Sequence, residues 1–209
     1  MTFTQNNNHK TLIIFDWDDT LFPTSWMVKN NIDLTNKNTQ NKYIILFSNL
    51  DVILHKLLTK LMKQSQIVII TNAVKKWIDI SCVMLPKTQT IINNHIPVLS
   101  ARDLYKQHYP NDMTEWKKNT FKKLATESEN IFKNIISIGD AEYEFLATIN
   151  LYDAKAHAKH KLLKTVRLFP DPTFDSLINQ LDLLFNSFDK IILCDRHLDL
   201  KFSNNNKIK

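Results

Sequence analysis

Short continuous apolar runs constrain this chain more than any other feature. TLIIF (11–15), QIVII (66–70) and NIISI (134–138) are each five residues with almost no polar interruption. Runs of this length and composition are expected of strands buried on both faces. IPVLS (96–100) is a weaker example, TVRLF (165–169) is a fifth strand, and KIILC (190–194) is ambiguous. Between the runs, helical spacing takes over. Leu46, Leu50, Ile53, Leu54, Leu57, Leu58 and Leu61 share one face over residues 45–63. Further helices are expected at 73–84, from Thr114 to about 127, after Asp140, and near 173–188 behind Pro170-Asp171-Pro172. Residues 22–44, with Pro23 and many Asn and Thr, read as an irregular excursion. Strands alternating with helices predict an α/β fold, a parallel sheet with helices on both faces. Ligands of such sheets gather beyond the C-terminal strand ends, where Asp16, Thr71, Ser100 and Asp140 all fall.

A length of 209 residues suits one domain over 11–200, with 1–10 as a flexible arm and 201–209 as a tail or truncated linker. No apolar stretch is long enough for a membrane span, and MTFTQNNNHK has no signal core. Cys82 and Cys194 form no CxxC pair, which points to a reducing, cytoplasmic setting. The net charge of +6 favours anionic partners or simply a Lys-rich surface, and without a block of like charges there is no specific nucleic-acid signal. His157 and His160 read as solvated rather than as a metal pair. Asn occurs 22 times but Gly once, at Gly139 in IISIGDAEYE. A single glycine kept there predicts a backbone position that tolerates no Cβ.

IIFDWDDTLF (13–22) closes the first run with three clustered acids, Asp16, Asp18 and Asp19. Their mutual repulsion becomes tolerable beside a divalent cation, and hard oxygen ligands select Mg²⁺. Asp16 and Asp140, from neighbouring strands, are candidates to hold it. Asp18, two residues beyond Asp16, would point to the same side in extended backbone. One carboxylate could then attack phosphorus while the other handles the leaving group's proton.

With these motifs the chain resembles the haloacid dehalogenase (HAD) superfamily, specifically its capless DxDxT phosphatases. The resemblance rests on Asp16-Trp17-Asp18-Asp19-Thr20-Leu21 after an apolar strand, Thr71 ending the second, a lysine at a helix start, and Gly139-Asp140 with a further acid. It implies a Rossmannoid sheet, an aspartyl-phosphate intermediate on Asp16, and Asp18 as general acid and base. It further implies phosphate binding by Thr71, Asn72 and Lys117, and Mg²⁺ held by Asp16, Asp140 and the backbone carbonyl of Asp18. Where the family often ends its last motif in Asp, this chain offers Glu144, with Glu142 the rival, as a water-mediated ligand or an orienting group. Lys117 is preferred to Lys118 because it shares a helix face with Phe121 and Leu124.

Asp18 separates the phosphatases of this fold from its dehalogenases and transport ATPases. The intervals from Asp16 to Thr71 and from Thr71 to Lys117, 55 and 46 residues, leave no room for a full cap domain. An open rim suits a phosphorylated side chain on a protein or peptide better than a small metabolite. Trp17, Phe22 and Trp26 beside the first motif suit phosphotyrosine if exposed, although core packing is their plainer role. Arg102 is a further candidate phosphate contact or surface ion pair. A phosphatase of nucleotides or sugar phosphates is the alternative, with 22–44 as a lid, and a non-catalytic binding module is a third. Capless phosphatases of this type include effectors delivered into host cells, so the resemblance leaves that destination open.

Overall fold

The computed structural model describes residues 10–128, 131–153, 161–203 and 207–208. In chain order it comprises β1 (Thr11–Phe15), α1 (Thr24–Lys29), α2 (Lys37–Met62), β2 (Gln66–Thr71), α3 (Lys75–Cys82), α4 (Pro86–His95) and β3 (Val98–Ser100). There follow α5 (Ala101–Tyr105), α6 (Met113–Glu127), β4 (Asn134–Gly139), α7 (Glu142–Asp153), β5 (Leu162–Arg167), α8 (Phe174–Leu193), β6 (Leu198–Ser203) and β7 (Lys207–Ile208). The strands form one sheet in the order β3-β2-β1-β4-β5-β6-β7, parallel except for the antiparallel edge pair β6–β7. The chain runs outward from β1 through β2 to β3, then returns to place β4 on the other side of β1. That reversal is a topological switch point, and it opens a crevice between the ends of β1 and β4.

Successive strand residues face opposite sides of the sheet, so β1 serves two cores. Ile13 and Phe15 pack with α2, α3, α4 and α8, whereas Leu12 and Ile14 pack with α5, α6 and α7. Burying each such side chain contributes on the order of 1.5–3 kcal/mol, which makes the two layers, rather than helix propensity, the main support of the fold. The expected α/β architecture with helices on both faces is the one observed. Among the described residues, only α1 and α2 lie between β1 and β2, and only α3 and α4 between β2 and β3, so no separate cap domain is inserted.

Several expected boundaries move, each for a local reason. The supposed excursion over 22–44 contains α1 and the first turns of α2, because Asn36 caps α2 by accepting from the N–H groups of Asn38 and Thr39. The strand expected at 165–169 is β5, beginning three residues earlier at Leu162. Its charged interior residue, Lys164, is fully buried and donates to the carbonyls of Ile191, Ile192 and Cys194. The same contacts explain why the ambiguous run 190–194 is no strand: it is the end of α8, its orphan carbonyls satisfied by Lys164. Residues 201–203, expected to open the tail, belong to β6, where Phe202 is buried. Of the expected arm and tail, residues 1–9, 204–206 and 209 lie outside the described residues, as do His157 and His160.

Candidate active site

One residue past β1, Asp16 still donates its N–H to the Ile138 carbonyl of β4, at 2.9 Å. The chain then turns tightly. Leu21 and Phe22 donate to the Trp17 carbonyl at 2.9 and 3.0 Å, and Asp19 takes φ 55°, a left-handed conformation that Asp adopts more readily than most residues. The turn sends Trp17, Leu21 and Phe22 into the core and leaves the three acids at the rim. Trp17 and Phe22 stack at 5.8 Å, and the Trp17 indole donates to Ser81 Oγ. Both rings are fully buried, and Trp26 packs on Tyr43 and Phe174. Trp17 and Phe22 therefore offer no face to a substrate ring, and core packing is their role; Trp26 is partly buried against the same core.

Lys117 lies one turn into α6, on the face shared with Phe121 and Leu124, and is 1% exposed. Its ammonium donates to both Asp16 Oδ1 and Glu144 Oε1. Lys118 instead pairs with Glu115 at 2.9 Å on the outer side. Burial opposes the charge of Lys117, but Asp16 and Glu144 together hold its pKa above the usual lysine range. Glu142, the rival acid, is exposed and 3.8 Å from Arg167, so Glu144 is the acid that enters the site.

Glu144 also accounts for the single glycine. A Cβ on Gly139 would stand 2.4 Å from Glu144 Cγ and 2.5 Å from its Cδ and Oε2. Gly139 has no positive φ, so the requirement is one of space rather than backbone conformation. The missing Cβ lets Glu144 lie across the end of β4 and reach Lys117. Its second oxygen, Oε2, is buried without a hydrogen-bond partner.

Asp18 is gripped by three elements. Its Oδ1 accepts from Thr24 Oγ1 of α1 at 2.5 Å and from Trp77 Nε1 of α3 at 2.7 Å, and its Oδ2 accepts from Thr71 Oγ1 at 3.3 Å. Thr71 in turn accepts from the Ala73 N–H at 2.9 Å. Asp19 accepts from the N–H and hydroxyl of Ser25, and Thr20 donates to Asp140 Oδ1 at 3.3 Å. Thr24, Ser25 and Trp77 had no signal in the sequence. Asn72 is turned elsewhere, its amide donating to the Met113 carbonyl at 3.3 Å and so joining the end of β2 to the start of α6. Arg102 stands in the first turn of α5.

The site is crowded with acid. Asp16 and Glu144 bind the Lys117 ammonium, and Asp18, Asp19 and Asp140 stand near enough for their charges to act on Asp16 or on one another. Burial raises the Asp16 carboxyl well above the usual range; Lys117 opposes the rise, and Glu144, Asp18 and Asp140 add to it. Asp140 is pushed up to about 7, first by burial and then by the charges of Glu144 and Asp19. Asp19 is raised by burial against the two bonds from Ser25. Among the described residues, no three His, Cys, Asp or Glu side chains group as a metal centre. A site of two carboxylates, Asp16 and Asp140, with the Asp18 backbone carbonyl would need no third acid. Its oxygen-only donors, two of them carboxylates, fit Mg²⁺.

No helix among the described residues is long and apolar enough to cross a membrane. No protein-family model matches the sequence, and no curated protein matches it significantly. Among solved structures, the chain is similar to the HAD domain of effector protein Lem4 from Legionella pneumophila, at 15% identity and a TM-score of 0.48, over 89% of this chain and 96% of that one. An inactive mutant of the same domain aligns at 15% identity and a TM-score of 0.49, over 90% and 96% of the two chains.

Proposed function

We propose that this chain is a Mg²⁺-dependent phosphatase of the haloacid dehalogenase type, acting through an aspartyl phosphate on Asp16. One observation carries the proposal: a carboxylate at the end of β1, beside the switch point, is held through one oxygen by a buried lysine. Lys117 orients Asp16 by binding Oδ1 and leaves the other oxygen to attack phosphorus. Asp18 gives its proton to the departing ester oxygen, then takes one from the water that cleaves the acyl phosphate. Thr71 and Lys117 supply hydrogen-bond donors to the phosphoryl group, and Asn72 secures the loop that carries Thr71. Glu144 holds Lys117 in place. Asp16, Asp140 and the Asp18 carbonyl would hold the Mg²⁺, which supplies charge neutralisation for the incoming phosphate.

The substrate class we favour is a phosphorylated protein or peptide, with phosphotyrosine first. Its support is the open rim: α1 and α2 are packed into the core, and Thr24 and Ser25 tether α1 to the acids, which argues against the 22–44 segment serving as a closing lid. We place the activity in a reducing cytoplasm, the cell's own or a host's, because both cysteines are free. The test is a panel of phosphotyrosine and phosphoserine peptides, nucleotides, sugar phosphates, free phosphotyrosine and p-nitrophenyl phosphate, assayed with Mg²⁺ and with EDTA. Mg²⁺-dependent hydrolysis that Asp16→Asn abolishes is expected, with kcat/KM for peptides above that for the bare aryl esters. Undiminished turnover in EDTA or by Asp16→Asn would remove the mechanism. Equal kcat/KM for peptides and bare esters would remove the protein specificity alone.

A further inference from the structure

Trp77 stands 59 residues from Asp18 in sequence, yet its indole makes one of the two short hydrogen bonds to that carboxylate. Core packing sets the position of the ring. Trp77 meets Phe22 edge-on at 6.0 Å, and Phe22 is stacked between Trp17 and Phe47 at 5.8 and 5.5 Å. The indole is only half-buried, so its polar edge reaches the rim while its body rests on that aromatic column.

The two oxygens of Asp18 are held unequally. Oδ1 takes Trp77 at 2.7 Å and Thr24 at 2.5 Å, whereas Oδ2 takes only Thr71 at 3.3 Å. A hydroxyl can rotate from donor to acceptor, but an indole N–H can only donate. A bare carbonyl oxygen is the better acceptor for that N–H, so the indole favours Oδ1 as the unprotonated oxygen and Oδ2, with its one long contact, as the oxygen that carries a proton on Asp18. We infer that Trp77 is a positioning residue for Asp18: it favours one oxygen of the general acid as the proton carrier and sets where that oxygen points. The inference rests on the phosphatase reading above. In the step it governs, the Oδ2–H proton passes to the ester oxygen as the P–O bond breaks and the bond to Asp16 forms. The bonding pair leaves with that oxygen, and Oδ2 is reprotonated from water in the hydrolytic step.

Trp77→Phe keeps a ring against Phe22 and removes the N–H. 3-Benzothienylalanine at position 77 replaces the N–H by sulfur at nearly unchanged shape, and it decides the matter if Trp77→Phe folds poorly. Turnover is measured with Mg²⁺ on a series of aryl and alkyl phosphates of graded leaving-group pKa. General acid catalysis supplies roughly 10²–10⁴ in rate, so both variants should lose about ten- to a hundred-fold on the poorest leaving groups. On p-nitrophenyl phosphate, which leaves unaided, they should lose less than about three-fold. Added to Asp18→Asn, the same change should cost nothing further. A uniform loss across the series would mean Trp77 only supports the fold, and no loss would mean the bond is idle; either overturns the inference. If Asp18→Asn itself shows no dependence on the leaving group, the general-acid assignment fails, and the role of Trp77 falls with it.

Discussion

Replacing Gly139 by alanine should damage this protein through one side chain. The added Cβ would sit 2.4–2.5 Å from three successive heavy atoms of Glu144, far inside van der Waals contact. Glu144 is 4% exposed, and its Oε1 is bound by Lys117, so it can yield only by leaving that ammonium. Overpacking of this kind costs about 1–3 kcal/mol. Breaking a buried ion pair outright costs about 3–5 kcal/mol, but Lys117 would keep Asp16, so only part of that applies. A loss of about 2–4 kcal/mol is expected, equivalent to roughly 5–15 °C in Tm for a domain of this size. Urea denaturation of the single variants and the Gly139→Ala/Glu144→Ala double variant isolates the cause. Glu144→Ala removes all three clashing atoms, and Gly139 has no positive φ to strain a Cβ. In that background Gly139→Ala should cost less than about 0.5 kcal/mol, or even stabilise by about 0.4–1 kcal/mol by restricting the unfolded chain. An equal cost in both backgrounds would refute the idea that Glu144 is why position 139 is glycine.

Metal-free protein should lose stability as pH rises from about 4 to about 7, because the Asp140 carboxyl, near 3.9 in an unfolded chain, is pushed up to about 7 in the fold by burial and then by Glu144. The folded state keeps that proton longer, so ionisation works against folding across the interval; urea midpoints should show Asp140→Asn removing part of the decline, and an unchanged slope would contradict it. The two cysteines should label at different times. Burial, then Asp79 and Asp51, pushes the Cys82 thiol up to about 12, so a maleimide should modify half-buried Cys194 first and Cys82 only on unfolding; simultaneous labelling of both in native buffer would count against that burial.

The elements legible in the sequence are those whose signal is local. TLIIF, QIVII and NIISI are strands because residues buried on both faces leave no polar position to confuse the pattern. β5 starts ahead of the apolar run at 165–169 because Lys164 breaks that pattern, and nothing nearby in sequence shows that the carbonyls at the end of α8, 27 to 30 residues on, take up its ammonium. β6 alternates partly buried and exposed positions, as a strand near the sheet edge does, and carries too little apolar weight to stand out. α2 began eight residues before its apolar stripe because an asparagine cap starts a helix as effectively as a hydrophobic face sustains one.

The candidate site divides along the same line. Asp16, Thr71, Lys117 and Asp140 could be named because each follows a strand or opens a helix, and the topology of a parallel sheet delivers those positions to one rim. What the carboxylates do there depends on contacts that no spacing encodes. Glu144 was readable only as an acid near Asp140, yet its work is to pair with Lys117 over a glycine five residues earlier. The motif points to Asp18 as a general acid but carries no trace of its partners Thr24, Thr71 and Trp77, which are 6, 53 and 59 positions away. Of the aromatics beside the first motif, Trp17 and Phe22 are core residues and Trp26 packs on Tyr43 and Phe174, while the ring that reaches Asp18, Trp77, comes from a helix with no motif at all. Chemistry that depends on which atoms are present is visible in a motif. Chemistry that depends on which oxygen of a carboxylate is free is set by partners brought in from across the fold.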